Sequence, residues 1–432
     1  VVLYQPRDRG FAMPLGLLAI GSWLAREHVV VVDGRFELAP EARLASLAPE
    51  ALCLGVTTRT GAPLREALRG SLAARAANPD LAVVWGGAHA TADPASCLEA
   101  GAVDACVLGA GEETMEAVVA AVRAGRPLAS IDGLTTRGGA SGRPAAAPAT
   151  LWPRAEYALL DVERHFEARG ARRLDYCASR GTRDGEAWSG LRAERVVAEV
   201  RELAERYRLS EVLFRDEDFF ADPVRVDAIA AGLAGGAAGF EAGARVEDLV
   251  ASPPERLRLL QEGGCRRLVV EVKAGEVRRA LLLEAGEKLR EAGLHARFVF
   301  ALAEPGPGSD GLAAAVLAAR SLSALSPGFE TPLRRLPPRP PGEGPSRTLA
   351  ERAQEDEAPW RDARAQERLA RAAFFFAEAQ RPPGRRVGQH LVRLLSLLRV
   401  RLGFFGLDLE RRLVELSALL RTGRERSHEP AD

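Results

Sequence analysis

Charged residues recur where short apolar runs end: Arg180, Asp216, Glu217, Asp218, Arg245, Glu271, Lys273 and Glu304. A carboxylate and an amine that reach one substrate can exchange protons with it, and Asp216 with Lys273 is such a pairing. Asp218 and Glu271 are the further catalytic candidates. The competing use of each is a solvated ion pair at a strand end. Their return at the same end of successive repeats is what makes a pocket credible. A second group of candidates is built from small residues. Pro14, Leu15 and Gly16 open a helix, Thr57, Thr58 and Gly61 follow one apolar run, Gly86, Gly87 and His89 another, and Gly109, Gly111 and Glu112 a third. Glycines there let backbone approach a ligand or a neighbouring strand closely. His89 is read as a loop-capping group, with direct ligation as the alternative.

The cysteines, Cys53, Cys97, Cys106, Cys177 and Cys265, are scattered and form no CxxC pair. That pattern predicts neither a disulfide framework nor a metal site, and core packing is the expected place of Cys177 and Cys265. Formal net charge is +0, which gives no electrostatic case for nucleic acid. All basic side chains but Lys273 and Lys288 are arginine, and with so much alanine this reflects base composition. Val1 already lies in an apolar run without a signal-peptide pattern, so a cytoplasmic protein is expected, with a few residues preceding Val1.

Residues 1–136 alternate strands with helices. The strands are VVLY, VVVVDG, ALCLGVTT, LAVVWGG and ACVLG; the helices include PLGLLAIGSWLARE, PLREALRGSLAARAA and EETMEAVVAAVRAG. Short valine-rich runs between amphipathic helices predict a doubly wound parallel sheet of about five strands, with ligands at the carboxyl ends of strands. A Gly/Ala/Pro linker spans 137–150. Residues 151–335 repeat the pattern, with strands at LDYCAS, EVLF, GFEAGAR, CRRLVVEV, ARFVFAL and LSALS, which fits a partial (β/α)6 barrel. A proline-rich linker at 336–346 precedes a helical tail, 347–432. In that tail, arginines interrupt the apolar stretches long before the ~18 residues that a membrane span requires. An amphipathic helix packed on its own barrel is expected, with membrane-surface contact as the sharper alternative.

In order, the segments PLGL, VVDG, GVTTRTG, VVWGGAHAT and VDACVLGAGEET resemble the cobalamin-binding domain that precedes many radical S-adenosylmethionine (SAM) barrels. The resemblance implies a flavodoxin-like (Rossmann-like) domain with cobalamin held by the glycine loops named above. A DxHxxG loop, which supplies a histidine to cobalt in some such domains, is replaced by Gln5-Pro6-Arg7-Asp8-Arg9-Gly10. From Tyr176 to Phe220 the chain resembles the first repeat of the radical SAM barrel, RDEDFF its second strand end, GFEAGARVEDL its third, EVKAGE its fourth and AEPGPG its fifth. In that family the loop after the first strand carries CxxxCxxC, which holds a 4Fe–4S cluster. Here Thr182-Arg183-Asp184-Gly185-Glu186-Ala187 contains no cysteine, and the loop is shortened.

An intact member would bind cobalamin, SAM and the cluster, and would transfer methyl groups or drive cyclisations. With the cluster ligands absent, the expectation is a non-catalytic cobalamin-binding partner or regulator of an intact paralogue, taking a small-molecule ligand and retaining SAM only weakly. The alternative is a cluster-independent enzyme performing methyl transfer or polar lyase or cyclase chemistry. No metal ligands are assigned.

Overall fold

The computed structural model describes residues 1–8, 10–140, 142, 147–185, 187–273, 278–302, 311–326, 328–331, 333–335 and 395–396. Glu186, Glu304, the proline-rich linker and the expected helical tail, apart from Leu395 and Ser396, lie outside them. Two compact units divide the described residues up to 335: Val1–Gly243 with Glu262–Arg266 forms one, and Ala244–Gln261 with 267–335 the other.

The first unit opens with β1 (Val2–Gln5), α1 (Leu15–Trp23), β2 (Val30–Asp33), α2 (Pro40–Leu47), β3 (Cys53–Thr57), α3 (Ala62–Ala77), β4 (Ala82–Gly86), α4 (Ala88–Ala92), α5 (Pro94–Glu99), β5 (Ala105–Val107) and α6 (Glu112–Arg123). Strand order is β2-β1-β3-β4-β5, all parallel, the flavodoxin-like arrangement with its switch point between β1 and β3. Two short antiparallel strands, β6 (Leu134–Thr136) and β7 (Gly139–Ala140), extend the edge beyond β5 and were not expected from sequence. Alternation along β4 divides the core. Val83 and Trp85 pack with Leu64 and Ala67, whereas Val84 faces Met115 and Val118. Trp85 is fully buried and its indole N–H donates to Ser71 at 3.0 Å, which satisfies the one polar atom the ring brings inside.

The same unit continues through α7 (Val162–Arg169), β8 (Arg173–Tyr176), β9 (Ser179–Arg180), β10 (Ser189–Gly190), α8 (Ala193–Tyr207), β11 (Glu211–Phe214), α9 (Pro223–Leu233) and β12 (Gly239–Ala244). β8, β11 and β12 are parallel neighbours, with Glu211 opposite Arg173 on one side and Gly239 on the other. Val196, Val200 and Ala204, four residues apart, are the buried stripe of α8.

In the second unit come α10 (Val246–Ala251), α11 (Pro254–Glu262), β13 (Cys265–Lys273), α12 (Arg279–Glu291), β14 (Ala296–Leu302), α13 (Gly311–Leu325), β15 (Phe329–Glu330) and β16 (Leu333–Arg335), the outermost residues of α11 and β13 belonging to the first. β13 and β14 pair in parallel from Leu268↔Ala296 to Lys273↔Ala301, and β14 also pairs with β15 and β16. The expected strand LSALS is the last turn of α13 and the residue after it; buried Ala315, Ala318, Ala319 and Leu322 recur at helical spacing and carry the helix through it. These βα repeats are those of a partial barrel. No helix among the described residues is long and apolar enough to cross a membrane.

Candidate cofactor site

The carboxyl ends of β1, β3, β4 and β5 open into a cavity of about 320 Å³ in the first unit. Its deep part is apolar: Leu3, Val56, Val84 and Val107 from the strands, with Leu17, Ile20 and Met115 from α1 and α6. Glycines shape the rest. Gly87 has φ +90°, and a Cβ there would lie 2.9 Å from the Thr57 hydroxyl and the Thr58 carbonyl. Gly16, in the first turn of α1, would direct a Cβ into space with nothing within 4 Å.

Of the residues singled out from sequence, Leu15, Gly16, Thr57, Gly86, Gly87, Gly109, Gly111 and Glu112 line this cavity. Pro14, Thr58, Gly61 and His89 support its loops from behind. Pro14 is buried at the start of α1, and Gly61, at φ +98°, starts α3. Thr58 donates its hydroxyl to the Gly86 carbonyl at 2.8 Å and accepts from the Ala90 N–H at 3.2 Å, which clips the turn after β3 to the turn after β4. His89 is buried, its Nδ1 3.1 Å from the Thr60 hydroxyl and its Nε2 3.4 Å from that of Ser96.

The other wall comes from the strand ends of the second sheet, through Cys177, Ser179, Arg180, Arg215 and Glu217. Arg180 pairs with Glu112 at the start of α6 and lies over the Trp152 ring at 4.5 Å. Cys177, expected in the core, is half-buried and faces the cavity; burial, and then the neighbouring Asp216 carboxylate, push its thiol up to about 11. Sequence reasoning set Cys177 aside and did not select Arg180 as a binding residue. The adjoining Ser-Arg-Gly at a strand end was the available signal.

Asp216 and Asp218 are not among the residues that line this cavity. Asp216 is buried, accepts from the Ser179 hydroxyl and, at 3.3 Å, from the Ala178 N–H. Burial pushes its carboxyl up to about 6, although Ser179 and Arg225 pull the other way. Asp218 receives three donors from Arg183: the backbone N–H at 3.2 Å, Nε at 2.9 Å and Nη2 at 2.6 Å. Arg183 belongs to the loop between β9 and β10, whose strands pair Ser189 with Arg180 and Gly190 with Ser179. That loop is therefore a closed hairpin clamped to the end of β11. Glu271 is exposed on β13 in the second unit, and Lys273 ends that strand. Among the described residues no group of three or more His, Cys, Asp or Glu is arranged to hold a metal ion.

A doubly wound domain with a glycine-lined cavity at its strand ends defines a Rossmann-like cofactor-binding module. Residues 8–119 match the B12 binding domain family. An uncharacterized methyltransferase, PH0819 of Pyrococcus horikoshii, is 27% identical over 285 residues, 61% of this chain and 61% of that protein. The fold is similar to that of the cobalamin-dependent SAM radical enzyme OxsB with aqua-cobalamin bound, at TM-score 0.60 and 16% identity, over 74% of this chain and 51% of that one. It is also similar to the radical SAM methyltransferase TsrM from Kitasatospora setae with cobalamin and a [4Fe–4S] cluster bound, at TM-score 0.59 and 16% identity, over 75% of this chain and 70% of that one. Residues 8–119 thus carry a B12 binding domain, and the chain shares the fold of these cobalamin-binding radical SAM enzymes. It spans about 61% of the curated relative and 51% of OxsB.

Proposed function

We propose that this protein binds cobalamin but has given up the iron–sulfur radical source, and serves as a partner or regulator of an intact paralogue. The observation that carries the reading is the pairing of a retained cavity with a converted loop. The glycine ends and apolar floor suit a corrin: the floor takes its hydrocarbon, and Thr57, Glu112 and the exposed glycine backbone offer partners to its peripheral amides. Leu15, Gly16, Thr57, Gly86, Gly87, Gly109, Gly111 and Glu112 would hold it, backed by Pro14, Thr58, Gly61 and His89. When bound, such a corrin supplies a cobalt centre able to carry a methyl or alkyl group.

Across the cavity, the loop that carries CxxxCxxC in radical SAM enzymes is the Arg183–Asp218 hairpin, with no thiol to offer iron. SAM is anchored on such a cluster through its amino and carboxylate groups, so its affinity here is expected to be low. Dialysis with hydroxocobalamin tests the first half, with retained corrin absorbance expected. Anaerobic reconstitution with iron and sulfide, followed by Mössbauer spectroscopy and a 5′-deoxyadenosine assay, tests the second. About four irons per chain with cluster-dependent deoxyadenosine would overturn it.

A second reading, cluster-independent methyl transfer or polar lyase or cyclase chemistry, is favoured by one observation. Asp216, pushed up to about 6, is linked through the Ser179 hydroxyl to the cavity wall, where it can take or return a proton near neutral pH. Turnover of a methyl donor that is abolished in Asp216→Asn, with corrin retention intact, would select this reading.

A further inference from the structure

The helix α9 turns an arginine inward. Its buried positions are Arg225, Val226, Ile229, Ala230 and Leu233, so Arg225 sits on the apolar stripe. The residue is 7% exposed and makes no ion pair with any described carboxylate. Asp222 caps the helix, accepting the Arg225 backbone N–H at 3.0 Å, and Asp216 is taken up by Ser179 and Ala178. Arg225 Nε donates to the Leu191 carbonyl at 2.7 Å and Nη2 to that of Ala178 at 2.9 Å, whereas Nη1 is buried with no partner. The guanidinium carbon lies 5.6 Å from the centre of the Trp188 ring, and the indole Nε1 is likewise buried with no partner. Gly190 lets the two side chains meet: a Cβ there would lie 2.7 Å from the Trp188 ring and 3.2 Å from Arg225 Nε.

We propose that Arg225 Nη1 and Trp188 Nε1 bind a small monovalent anion of the halide class, such as chloride, beneath the β9–β10 hairpin. Charge is the first reason. A buried cation is costly unless an anion meets it, and the two carbonyls that Arg225 holds carry no net charge. Burial pulls the guanidinium below its ordinary range, and the fields of Asp216 and Asp222 oppose this without cancelling it. Its place in the first turn of α9 adds to the need, since the amino end of a helix favours negative charge. Hydrogen bonding is the second reason. Guanidinium and indole nitrogens only donate, and buried donors are rarely left unmet, so their ligand must be an acceptor. Water accepts as well, but only an anion also answers the charge. Both nitrogens are shut off from solvent, so the ion must shed its water, as a halide does more readily than phosphate. Neither residue lines the corrin cavity, and the site stands whether or not a corrin binds.

The experiment melts the full chain in sodium gluconate replaced stepwise by sodium chloride at constant ionic strength, so that general screening stays fixed. The wild type is expected to gain melting temperature along a saturating curve, as a ligand of the native state produces. Trp188→Phe keeps the ring and removes one N–H; it is expected to bind chloride about tenfold more weakly, the loss of one hydrogen bond to a charged group. Arg225→Met is expected to lose the response. Crystals grown in bromide give the position, with an anomalous peak expected in contact with Arg225 Nη1 and Trp188 Nε1. Melting temperatures that ignore the replacement, or follow it equally in wild type and Trp188→Phe, overturn the site. So does a water between the two nitrogens with bromide on the surface alone, an adventitious ion only. If Arg225→Met does not fold, Trp188→Phe and the bromide peak decide the matter.

Discussion

Asp175 accepts the backbone N–H of Met13 at 2.7 Å, across 162 residues of sequence. The carboxylate is wholly buried and is also held by Arg169 and, at 2.6 Å, by Arg215, while the Asp175 carbonyl accepts from the Tyr157 hydroxyl at 2.6 Å. The contact ties the segment entering α1, one wall of the cavity at the strand ends, to the first strand of the second sheet. Removing the acid leaves Arg169 facing an empty buried position. Asp175→Ala is expected to lose about 3–5 kcal/mol in urea unfolding, and Asp175→Asn less, because its amide oxygen still accepts.

Asp216 sets a pH dependence whose sign follows from its raised carboxyl. From the ordinary 3.8 up to about 6, the folded protein holds a proton that the unfolded chain has released. Its contribution is therefore fully present below the lower value and is lost as pH rises through about 6. At ~1.4 kcal/mol per pH unit the loss is roughly 3 kcal/mol. Asp216→Asn lacks this slope. Thermal melts from pH 4 to 7 should therefore show the variant gaining on the wild type as pH rises; parallel curves would refute the assignment.

Gly16 separates folding from ligand binding. It sits in α1 with room for a side chain on its cavity side, so Gly16→Ala should stabilise the ligand-free protein by about 0.5–1 kcal/mol through helix propensity. Gly16→Leu should fold equally well and fill the cavity. Retention of hydroxocobalamin after dialysis is expected to fall at least tenfold in that variant, with ~1.4 kcal/mol the corresponding loss.

Arg183 holds the hairpin closed. Arg183→Ala removes two side-chain donors, and leaves the backbone N–H, from a carboxylate with 1% side-chain exposure. A local loss of about 1–3 kcal/mol is expected. Hydrogen exchange should accelerate across residues 180–190 while β1 to β5 keep their protection. Uniform acceleration through the first sheet would show that the clamp supports the whole unit.

Much of the architecture was legible because it is written in local periods. VVVVD, LAVVWG and ACVLG are valine-rich runs too short for helices, and PLREALRGSLAARAA has one apolar face. β6 and β7 escaped notice since runs of two or three residues such as Leu134–Thr136 carry no period. LSALS misled for the opposite reason: five residues fit either period, and only the long α13 pattern before them decides. At the site, the glycine turns were visible because glycine is costly except where backbone must bend or approach. Thr58 and Thr57 are adjacent and chemically alike, yet one clips two loops together and the other lines the cavity.

The amino-acid sequence alone determined most of the strand and helix order, the glycine loops at the strand ends and the absence of cysteine from residues 182–187. Each of these depends on residue identity or on neighbours within a few positions. Only the tertiary structure decided that Arg180 meets Glu112, that Asp175 holds Met13, and that Asp216 turns inward to Ser179 while Arg215 and Glu217 line the cavity. The physical reason is that the pleat fixes only that alternate side chains take opposite faces. Which face meets a cavity, and which charges meet across it, depends on packing between segments tens to more than a hundred residues apart.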